Sequence, residues 1–457
     1  MAKTISVIIP VHDKASTLPL MIESLSYQLA APDQFELIFV TDRCTDESPL
    51  IIEDFQRTTE IQVVKISCEE GSAARARNLG IKAATGEYYF FLDSDVIIPQ
   101  DFFVKLIARL RSDHDAVFLV PIYGNSGSLS TWPFLVQDHD AWRTMNSAEL
   151  LNWAATESSL ADLRIGHASK TDGSLDHLYA PWVFCWSSAM AMSRELLAAV
   201  GGFNPSFSGK GSEDLELGYE LHAFGSSFKM MLDTYALHLP HTRNRHSEEQ
   251  IDRLQEREML KRYPTRQMEA LCAFDGAHAN SMLELLEGID IQTINHLTTS
   301  LNKYTHLEEL NLPQMIELAI GTPPAWLMDL VGPDYVICPC IEHSEMHLPL
   351  FGFALPFEDG TFGAAIMIGL WQLFPERLAC RLIEEALRVA SVVYLIKDAD
   401  LGNCLPLSPQ QLSIHDAPYW ERTYPLRRSF YDFKLTQCGR EQTLSSFRVE
   451  RSAGVAR

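Results

Sequence analysis

A run of aromatic and apolar residues that ends in two aspartates constrains this chain more than any other feature. Residues 88–92 read Tyr-Tyr-Phe-Phe-Leu and are followed by Asp93, Ser94 and Asp95. Side chains two residues apart on a strand point the same way, so Asp93 and Asp95 are predicted to face one small volume. Open α/β sheets bind ligands at the carboxyl ends of their strands, and paired carboxylates suit Mg²⁺ or Mn²⁺ there. The alternative is that both aspartates are ordinary turn residues.

The segments before this run alternate between strand-like and helix-like patterns. Short apolar runs predict strands, and the stretches between them carry apolar residues at helical spacing. The predicted strands are residues 5–11, 37–40, 61–66 and 88–92, and the predicted helices are residues 17–29, 48–57 and 73–84. This alternation predicts an α/β fold with a doubly wound, mostly parallel sheet.

The motifs of the first half resemble those of the nucleotide-sugar-dependent glycosyltransferases of the GT-A fold, most closely the family-two group. The resemblance runs from residue 6 to residue 245. It is carried by Val7-Ile8-Ile9-Pro10, residues 42–48, Ala76-Arg77-Asn78-Leu79-Gly80, Asp93-Ser94-Asp95, Gly201-Gly202-Phe203-Asn204 and Glu213-Asp214-Leu215-Glu216. The sequence departs from the family pattern at His12, where a tyrosine is usual, and at Arg43-Cys44, where Gly-Ser is usual.

The resemblance implies an inverting, metal-dependent enzyme that moves a sugar from a UDP-sugar to a hydroxyl-bearing glycan, metabolite or peptide acceptor. Pro10 and Val11 would line the base pocket, and Asp42 would bond the uracil or ribose. Arg77 would lie beside the nucleotide, where its planar fork suits phosphate or carbonyl oxygens. The alternative for Arg77 is a solvated helix face.

The resemblance also implies a metal site. Asp93 would lie near the ribose and the metal, and Asp95 would bind the metal. A histidine often completes such sites, so His241 is the expected ligand, with His238 as the alternative. An imidazole beside two carboxylates favours Mn²⁺ over Mg²⁺. Either histidine alone is more commonly a core or surface residue.

On the acceptor side, a glycine-rich loop leads into a predicted helix at residues 215–223. The resemblance makes Asp214 the general base that takes the proton of the attacking hydroxyl, with Glu213 binding donor or acceptor hydroxyls. The alternative is that the helix dipole alone favours acids at this position. Trp186 is the expected acceptor-stacking residue, and plain core packing is its alternative.

The composition of the chain limits the classes of molecule that it is expected to bind. The net charge of −23, from 60 acidic against 37 basic residues, argues against nucleic acid and anionic membranes. It also favours a cation to neutralise an incoming diphosphate. The nine cysteines lack zinc-site spacing, Cys338-Pro339-Cys340 being too tight, and an odd count suits reduced thiols. The absence of a signal peptide or membrane-spanning stretch predicts a cytoplasmic protein.

The second half has a different character. Residues 246–312 read as a helical connector, which bounds a glycosyltransferase domain at residues 1–245 and a further domain at residues 313–457. The latter faintly resembles a degenerate, Rossmann-like class I methyltransferase, through residues 316–321 and 355–362 and a hairpin at residues 429–449. Its turn reads Gly321-Thr322-Pro323-Pro324, whose prolines remove backbone donors, so S-adenosylmethionine is not expected to bind.

Three other functions stay open from the sequence. A bifunctional glycosyl and methyl transferase would require a working second domain, and a non-enzymatic scaffold would require neither site. A sugar-phosphate nucleotidyltransferase shares a similar nucleotide-binding layout. Its expected glycine-rich, arginine-containing loop after the first strand is replaced here by Pro10-Val11-His12-Asp13.

Overall fold

The protein is described from a computed structural model, which covers residues 3–124, 144–207, 212–240, 245–287, 301, 312–313, 315–374, 376–398, 433–441 and 444–451. The chain divides into two compact units, Met1–Gln255 and Glu256–Arg457. Across these ranges, we find no helix with both the length and the apolar content that crossing a membrane requires.

Strands and helices alternate along the first unit. Its strands are β1 (Ile5–Val11), β2 (Phe35–Asp42), β3 (Gln62–Cys68), β4 (Tyr88–Leu92), β5 (Val96–Ile97), β6 (Ala116–Leu119), β7 (Ile122–Tyr123), β8 (Ala189–Ser193), β9 (Ser227–Met230) and β10 (Ala236–His238). Its helices are α1 (Leu18–Ser26), α2 (Ser48–Thr58), α3 (Ala73–Ala83), α4 (Phe102–Ser112), α5 (Ser147–Thr156), α6 (Ile165–Ala168), α7 (Arg194–Val200) and α8 (Glu213–Phe224).

The main sheet of this unit has the strand order β3-β2-β1-β4-β8-β6-β9. β1 pairs in parallel with β2 and β4, and β2 pairs in parallel with β3. β8 is antiparallel to both of its neighbours, β4 and β6. A smaller sheet joins β5, β10 and β7 and places His238 opposite Val96. The predicted α/β fold with a mostly parallel sheet is confirmed.

Gly80 sets the distance between α3 and the sheet. A methyl group on this glycine would lie 2.5 Å from Ile8 Cγ2 and 3.4 Å from Val40 Cγ2, so the helix approaches β1 and β2 more closely than an alanine would allow. Arg77, three residues earlier on the same helix, is consequently carried into the interior and is only 2% exposed.

Helix α8 begins two residues before its predicted start. Ser212 adopts a left-handed φ of 58°, and the helix then runs from Glu213, which places Glu213 and Asp214 in its first turn. Gly218 lets the helix pack closely, because a methyl group there would lie 2.8 Å from the Trp182 carbonyl oxygen. The turn that carries the two acids is therefore fixed by packing further along the helix.

Two helices follow the first unit's sheets, α9 (Arg245–Arg262) and α10 (Arg266–Glu287). The second unit's sheet is built from β11 (Leu318–Gly321), β12 (Tyr335–Ile337), β13 (His347–Leu348), β14 (Phe362–Ile368), β15 (Ala390–Asp398), β16 (Phe433–Glu441) and β17 (Leu444–Arg451). Helices α11 (Ala325–Val331) and α12 (Glu376–Val389) connect its strands.

The second sheet has the order β13-β12-β11-β14-β15-β17-β16. The first five strands in this order, from β13 through β12, β11 and β14 to β15, pair in parallel. β16 and β17 form an antiparallel hairpin, and β17 pairs antiparallel with β15. A further α/β sheet domain with a terminal hairpin is thereby confirmed. The boundaries at residues 245 and 312 stay predictions, since most of the connector beyond residue 287 lies outside the described residues. The methyltransferase resemblance also stays a prediction.

Candidate active site

A buried arginine lies at the centre of the candidate site. Arg77 donates from Nη1 to Glu213 Oε1 at 2.7 Å and from Nη2 to Asp93 Oδ1 at 2.9 Å. Burial alone would lower the pKa of the guanidinium, but Asp93, Glu213 and Asp214 together raise it. The Phe203 ring lies 5.4 Å from the Arg77 Cζ atom. Arg77 is therefore not on a solvated face, and it joins the end of β4 to the start of α8.

Asp93 and Asp95 take different partners. The backbone turns directly after β4, since the Val96 amide donates to the Asp93 carbonyl oxygen at 3.1 Å. The alternation expected of a strand consequently stops at Leu92. Asp93 is directed to Arg77, whereas the carboxylate of Asp95 receives a 2.7 Å hydrogen bond from Lys14 Nζ.

His238 is the histidine that reaches this carboxylate. Its Nε2 atom lies 3.5 Å from Asp95 Oδ1, and both side chains are buried. The neighbouring Leu239 amide donates to the Asp95 carbonyl oxygen at 2.7 Å, which fixes the end of β10 against Asp95. His241, the expected ligand, lies outside the described residues.

Asp42 organises the start of α3. Its Oδ1 and Oδ2 atoms accept hydrogen bonds of 2.8 Å from the amides of Gly71 and Ser72. Ser72 then caps the helix through its own side chain, which accepts from the Arg75 amide. A contact of Asp42 with uracil or ribose stays a prediction, because both carboxylate oxygens already bind backbone amides here.

The residues expected to line the base pocket lie at the end of β1. Pro10 is partly buried and Val11 is buried. The Val11 carbonyl oxygen accepts a 3.3 Å hydrogen bond from Cys44 Sγ, and His12 Nδ1 lies 2.7 Å from the Asp42 carbonyl oxygen. Two of the residues that depart from the family pattern, His12 and Cys44, thus link the loops after β1 and β2.

Asp214 is held by three hydrogen bonds at the start of α8. Its Oδ2 atom accepts from the Ser187 amide at 3.1 Å and from the Ser187 hydroxyl at 3.3 Å, and Oδ1 accepts from the Leu215 amide. Burial and the adjacent Glu213 carboxylate raise the pKa of Asp214 to about 7, against the opposing effect of Arg77. A carboxyl group with this pKa exchanges protons near neutral pH.

The loop before α8 is fastened to α3. Asn78 bonds the Phe203 backbone in both directions, from Nδ2 to the carbonyl oxygen at 2.7 Å and from the amide to Oδ1 at 3.1 Å. Ser72 Oγ also donates to the Phe207 carbonyl oxygen at 2.8 Å. Residues 208–211, the middle of the glycine-rich loop, lie outside the described residues.

Trp186 lies against an arginine that the sequence analysis did not identify. Arg164 Cζ is 3.9 Å from the centre of the Trp186 ring. Arg164 is fully buried, pairs with Asp162 at 2.6 Å and donates to the carbonyl oxygen of Phe184. One face of Trp186 is therefore occupied, and acceptor stacking on the ring stays a prediction.

Lys14 and Ser187 were not among the site residues predicted from the sequence. Lys14 lies in the polar loop after β1, next in the predicted sheet to the strands that end at Asp42 and Asp93. A basic residue beside two acidic strand ends was the sequence pattern that could have identified it. Ser187 gave no signal, because its contact with Asp214 joins residues 27 positions apart in the chain.

Asp95 Oδ1 and His238 Nε2 are the donors available to a divalent cation at this strand end, whereas Asp95 Oδ2 accepts a hydrogen bond from Lys14. A buried carboxylate beside an imidazole nitrogen offers the oxygen and nitrogen donors that Mn²⁺ accepts. Among the described residues, three other side chains, Asp13, Cys44 and Asp46, bring potential ligand atoms within 4.8 Å of one another. The two aspartates of that cluster accept hydrogen bonds from backbone amides and so shape the loop.

Residues 6–165 match the model of the family Glycosyl transferase family 2. Validoxylamine A glucosyltransferase of Streptomyces hygroscopicus subsp. limoneus is 25% identical over 239 residues, which are 52% of this chain and 52% of that protein. Poly(ribitol-phosphate) beta-N-acetylglucosaminyltransferase TarS of Staphylococcus aureus strain Mu50 is 28% identical over 122 residues, 27% of this chain and 21% of that protein.

Among solved structures, S. aureus TarS 1–349 in complex with UDP-GlcNAc has a TM-score of 0.42 and 17% identity, and the match covers 65% of this chain and 80% of that chain. The chain spans about half the length of the validoxylamine A glucosyltransferase that it matches. The predicted resemblance is confirmed for the amino-terminal part of the chain, where residues 6–165 match the family model.

Proposed function

We propose that this protein is an inverting glycosyltransferase that moves a sugar from a UDP-sugar to the hydroxyl group of a glycan, metabolite or peptide acceptor. The observation that carries the proposal is Asp214, a carboxyl group with a pKa of about 7, placed beside the Arg77–Asp93 ion pair at the end of β4. Two relatives named as a glucosyltransferase and an N-acetylglucosaminyltransferase support a hexose donor.

The two acids of α8 have separate roles in this proposal. Glu213 is buried and bonded to Arg77, so its carboxylate positions the guanidinium and the first turn of the helix. Asp214 is partly exposed and is oriented by Ser187. Asp214 accepts the proton of the attacking hydroxyl, which leaves that oxygen nucleophilic toward the anomeric carbon of the donor.

Asp95 and His238 would hold a divalent cation. When bound, that cation neutralises the diphosphate and stabilises it as a leaving group. Lys14, 2.7 Å from Asp95, adds a positive charge at the same strand ends. Because the chain carries a net charge of −23, local positive charge of this kind favours the entry of an anionic donor.

Donor turnover tests the proposal. Purified protein with Mn²⁺ is offered a panel of UDP-, GDP- and TDP-sugars, and nucleotide diphosphate release is measured with and without candidate acceptors. We expect release from a UDP-sugar and a product whose anomeric configuration is opposite to the donor's. A product that keeps the donor's configuration would contradict inversion, and release confined to GDP- or TDP-sugars would contradict the donor assignment.

The base assignment has its own control on the same helix. Asp214→Asn keeps the size and the hydrogen-bonding reach of the side chain but accepts no proton. Glu220→Gln, further along α8, makes the same chemical change away from Arg77. We expect transfer to fall in the first variant alone. Equal activity of the two variants would exclude Asp214 as the base.

A further inference from the structure

Two cysteines in the second unit lie in sulfur contact. Cys338 follows β12 and is buried, whereas Cys340 is exposed, and their Sγ atoms are 3.0 Å apart. Pro339 lies between them, and the Ile341 amide donates to the Cys338 carbonyl oxygen at 3.2 Å, which closes a tight turn. The Cys338 amide is held by the Leu348 carbonyl oxygen at 3.1 Å. The turn thus presents one thiol to solvent and holds the other directly behind it.

The two thiols are chemically different. Their sulfur contact lowers the pKa of Cys340 to about 7 and raises the pKa of Cys338, so the exposed Cys340 thiol is the one that ionises more readily. The guanidinium of Arg266 also favours the thiolate, and its Nη2 atom donates to the Pro339 carbonyl oxygen at 2.6 Å. An exposed thiolate beside a second thiol is the arrangement in which thiol–disulfide exchange proceeds to an internal bridge.

Other uses of the pair have less support. A thiolate metal site takes three or four ligands, and the one group of three potential ligands found among the described residues, at Asp13, Cys44 and Asp46, does not include this pair. Cys185 and Cys272 have a pKa raised well above the usual value by burial, so they are poor nucleophiles in comparison.

We propose that Cys338 and Cys340 form a redox-active dithiol that closes reversibly into a disulfide when it meets a low-molecular-weight disulfide such as oxidised glutathione. This inference is independent of the sugar-transfer proposal, since it concerns the second unit alone.

The exchange proceeds in two balanced steps. The Cys340 thiolate attacks one sulfur of oxidised glutathione, which breaks that S–S bond and releases one glutathione thiolate. Cys338 then loses its proton to solvent, attacks Cys340 Sγ and releases the second glutathione thiolate. The two protein thiols are oxidised to one disulfide, and the glutathione disulfide is reduced to two thiols.

The test follows the pair in the full-length protein. The protein is equilibrated in glutathione buffers of increasing oxidised fraction, quenched with N-ethylmaleimide and cut on the amino side of Asp and the carboxyl side of Glu. This releases residues 334–342, which contain Cys338 and Cys340 as their only cysteines. We expect the oxidised peptide to carry no N-ethylmaleimide and to have a mass two hydrogen atoms below that of the unalkylated dithiol, whereas the reduced peptide carries two adducts. This form should appear at a less oxidising glutathione ratio than the ratio that modifies any peptide containing Cys185 or Cys272.

Matched variants separate the two roles. Cys338→Ser should trap Cys340 as a stable mixed disulfide with glutathione, whereas Cys340→Ser should leave Cys338 unmodified. The midpoint of the pH profile for Cys340 alkylation should rise from about 7 in the parent protein by about one unit or more in Cys338→Ala, whose side chain donates no hydrogen bond. A parent peptide that stays fully reduced in oxidised glutathione, or that accumulates the mixed disulfide instead of the bridge, would overturn the proposal without reference to any variant.

Discussion

Replacing Arg77 with methionine should destabilise the first unit severely. The substitution keeps an unbranched stem against Phe203 but removes the charge that compensates two carboxylates. Side-chain exposure at the Arg77–Glu213 contact is 2% and 4%, so Glu213 would be left charged in the interior. Removing one partner of a buried ion pair costs about 3–5 kcal/mol of unfolding free energy.

Arg75→Met provides the matched control. Arg75 lies on the same helix and forms an ion pair with Glu70, but these side chains are 42% and 51% exposed. A surface pair of this kind contributes about 0–1 kcal/mol. The comparison therefore holds helix, residue type and substitution constant while burial changes.

Urea unfolding followed by hydrogen exchange and mass spectrometry measures both variants in the full-length protein. Peptides from β1 and β4 report the first unit separately from the second, which avoids assuming one transition for the whole chain. Adding Glu213→Gln to Arg77→Met should recover part of the loss, since the stranded charge is removed. If Arg77→Met stayed within about 1 kcal/mol of Arg75→Met, the buried ion pairs would not contribute as described.

Three further predictions concern function. Asp214→Asn should bind UDP normally, while transfer falls about 10²-fold or more in single-turnover assays. Transfer by the parent protein should decline as pH falls below about 7, because the base becomes protonated, and a flat profile from pH 5 to 8 would contradict this. Calorimetry should show that Asp95→Ala loses the Mn²⁺ enhancement of UDP binding, whereas Lys14→Met keeps it; equal enhancement in Asp95→Ala would exclude the metal assignment. Residues 313–457 should not bind S-adenosylmethionine in equilibrium dialysis of the full chain, and micromolar binding would disprove the effect assigned to Pro323 and Pro324.

Because of Asp214, the free energy of unfolding should change with pH in the direction opposite to the transfer activity. Its folded-state pKa is raised to about 7, above the ordinary value of 3.8, so the folded protein holds this proton more tightly than the unfolded chain does. The associated stabilisation is complete below the unfolded pKa and is lost as pH rises through the folded pKa. The ionised form needed for transfer is thus the less stable form of the folded site.

The periodicity of the sequence was sufficient to predict the first four strands of the sheet, β1 to β4, and the sheet edge that carries the candidate site. Apolar runs identified β1, β2 and β4, and the two aspartates after β4 marked the edge at which Arg77, Lys14 and His238 meet. Short-range patterns determine these features, since strand alternation and helical spacing are properties of a few consecutive residues.

Side-chain partners were not predictable in the same way. Strand alternation placed Asp93 and Asp95 together, but the turn at residues 93–96 sends one carboxylate to Arg77 and the other to Lys14. The start of α8 at Glu213 follows from a left-handed Ser212 and from distant packing at Gly218, neither of which has a local sequence pattern. Long-range contacts decide such details.

Charge balance explains why one arginine matters to both halves of the proposed reaction. Asp93, Glu213 and Asp214 all act on the single guanidinium of Arg77, so the three carboxylates exceed its charge when ionised. Burial and then the Glu213 carboxylate raise the pKa of Asp214 to about 7, and the same excess of negative charge opposes an incoming diphosphate in the proposed reaction. In the proposed reaction, positive charge at Asp95, from Lys14 and a bound cation, would offset that repulsion. Donor binding and base strength would then both depend on this one group of charges.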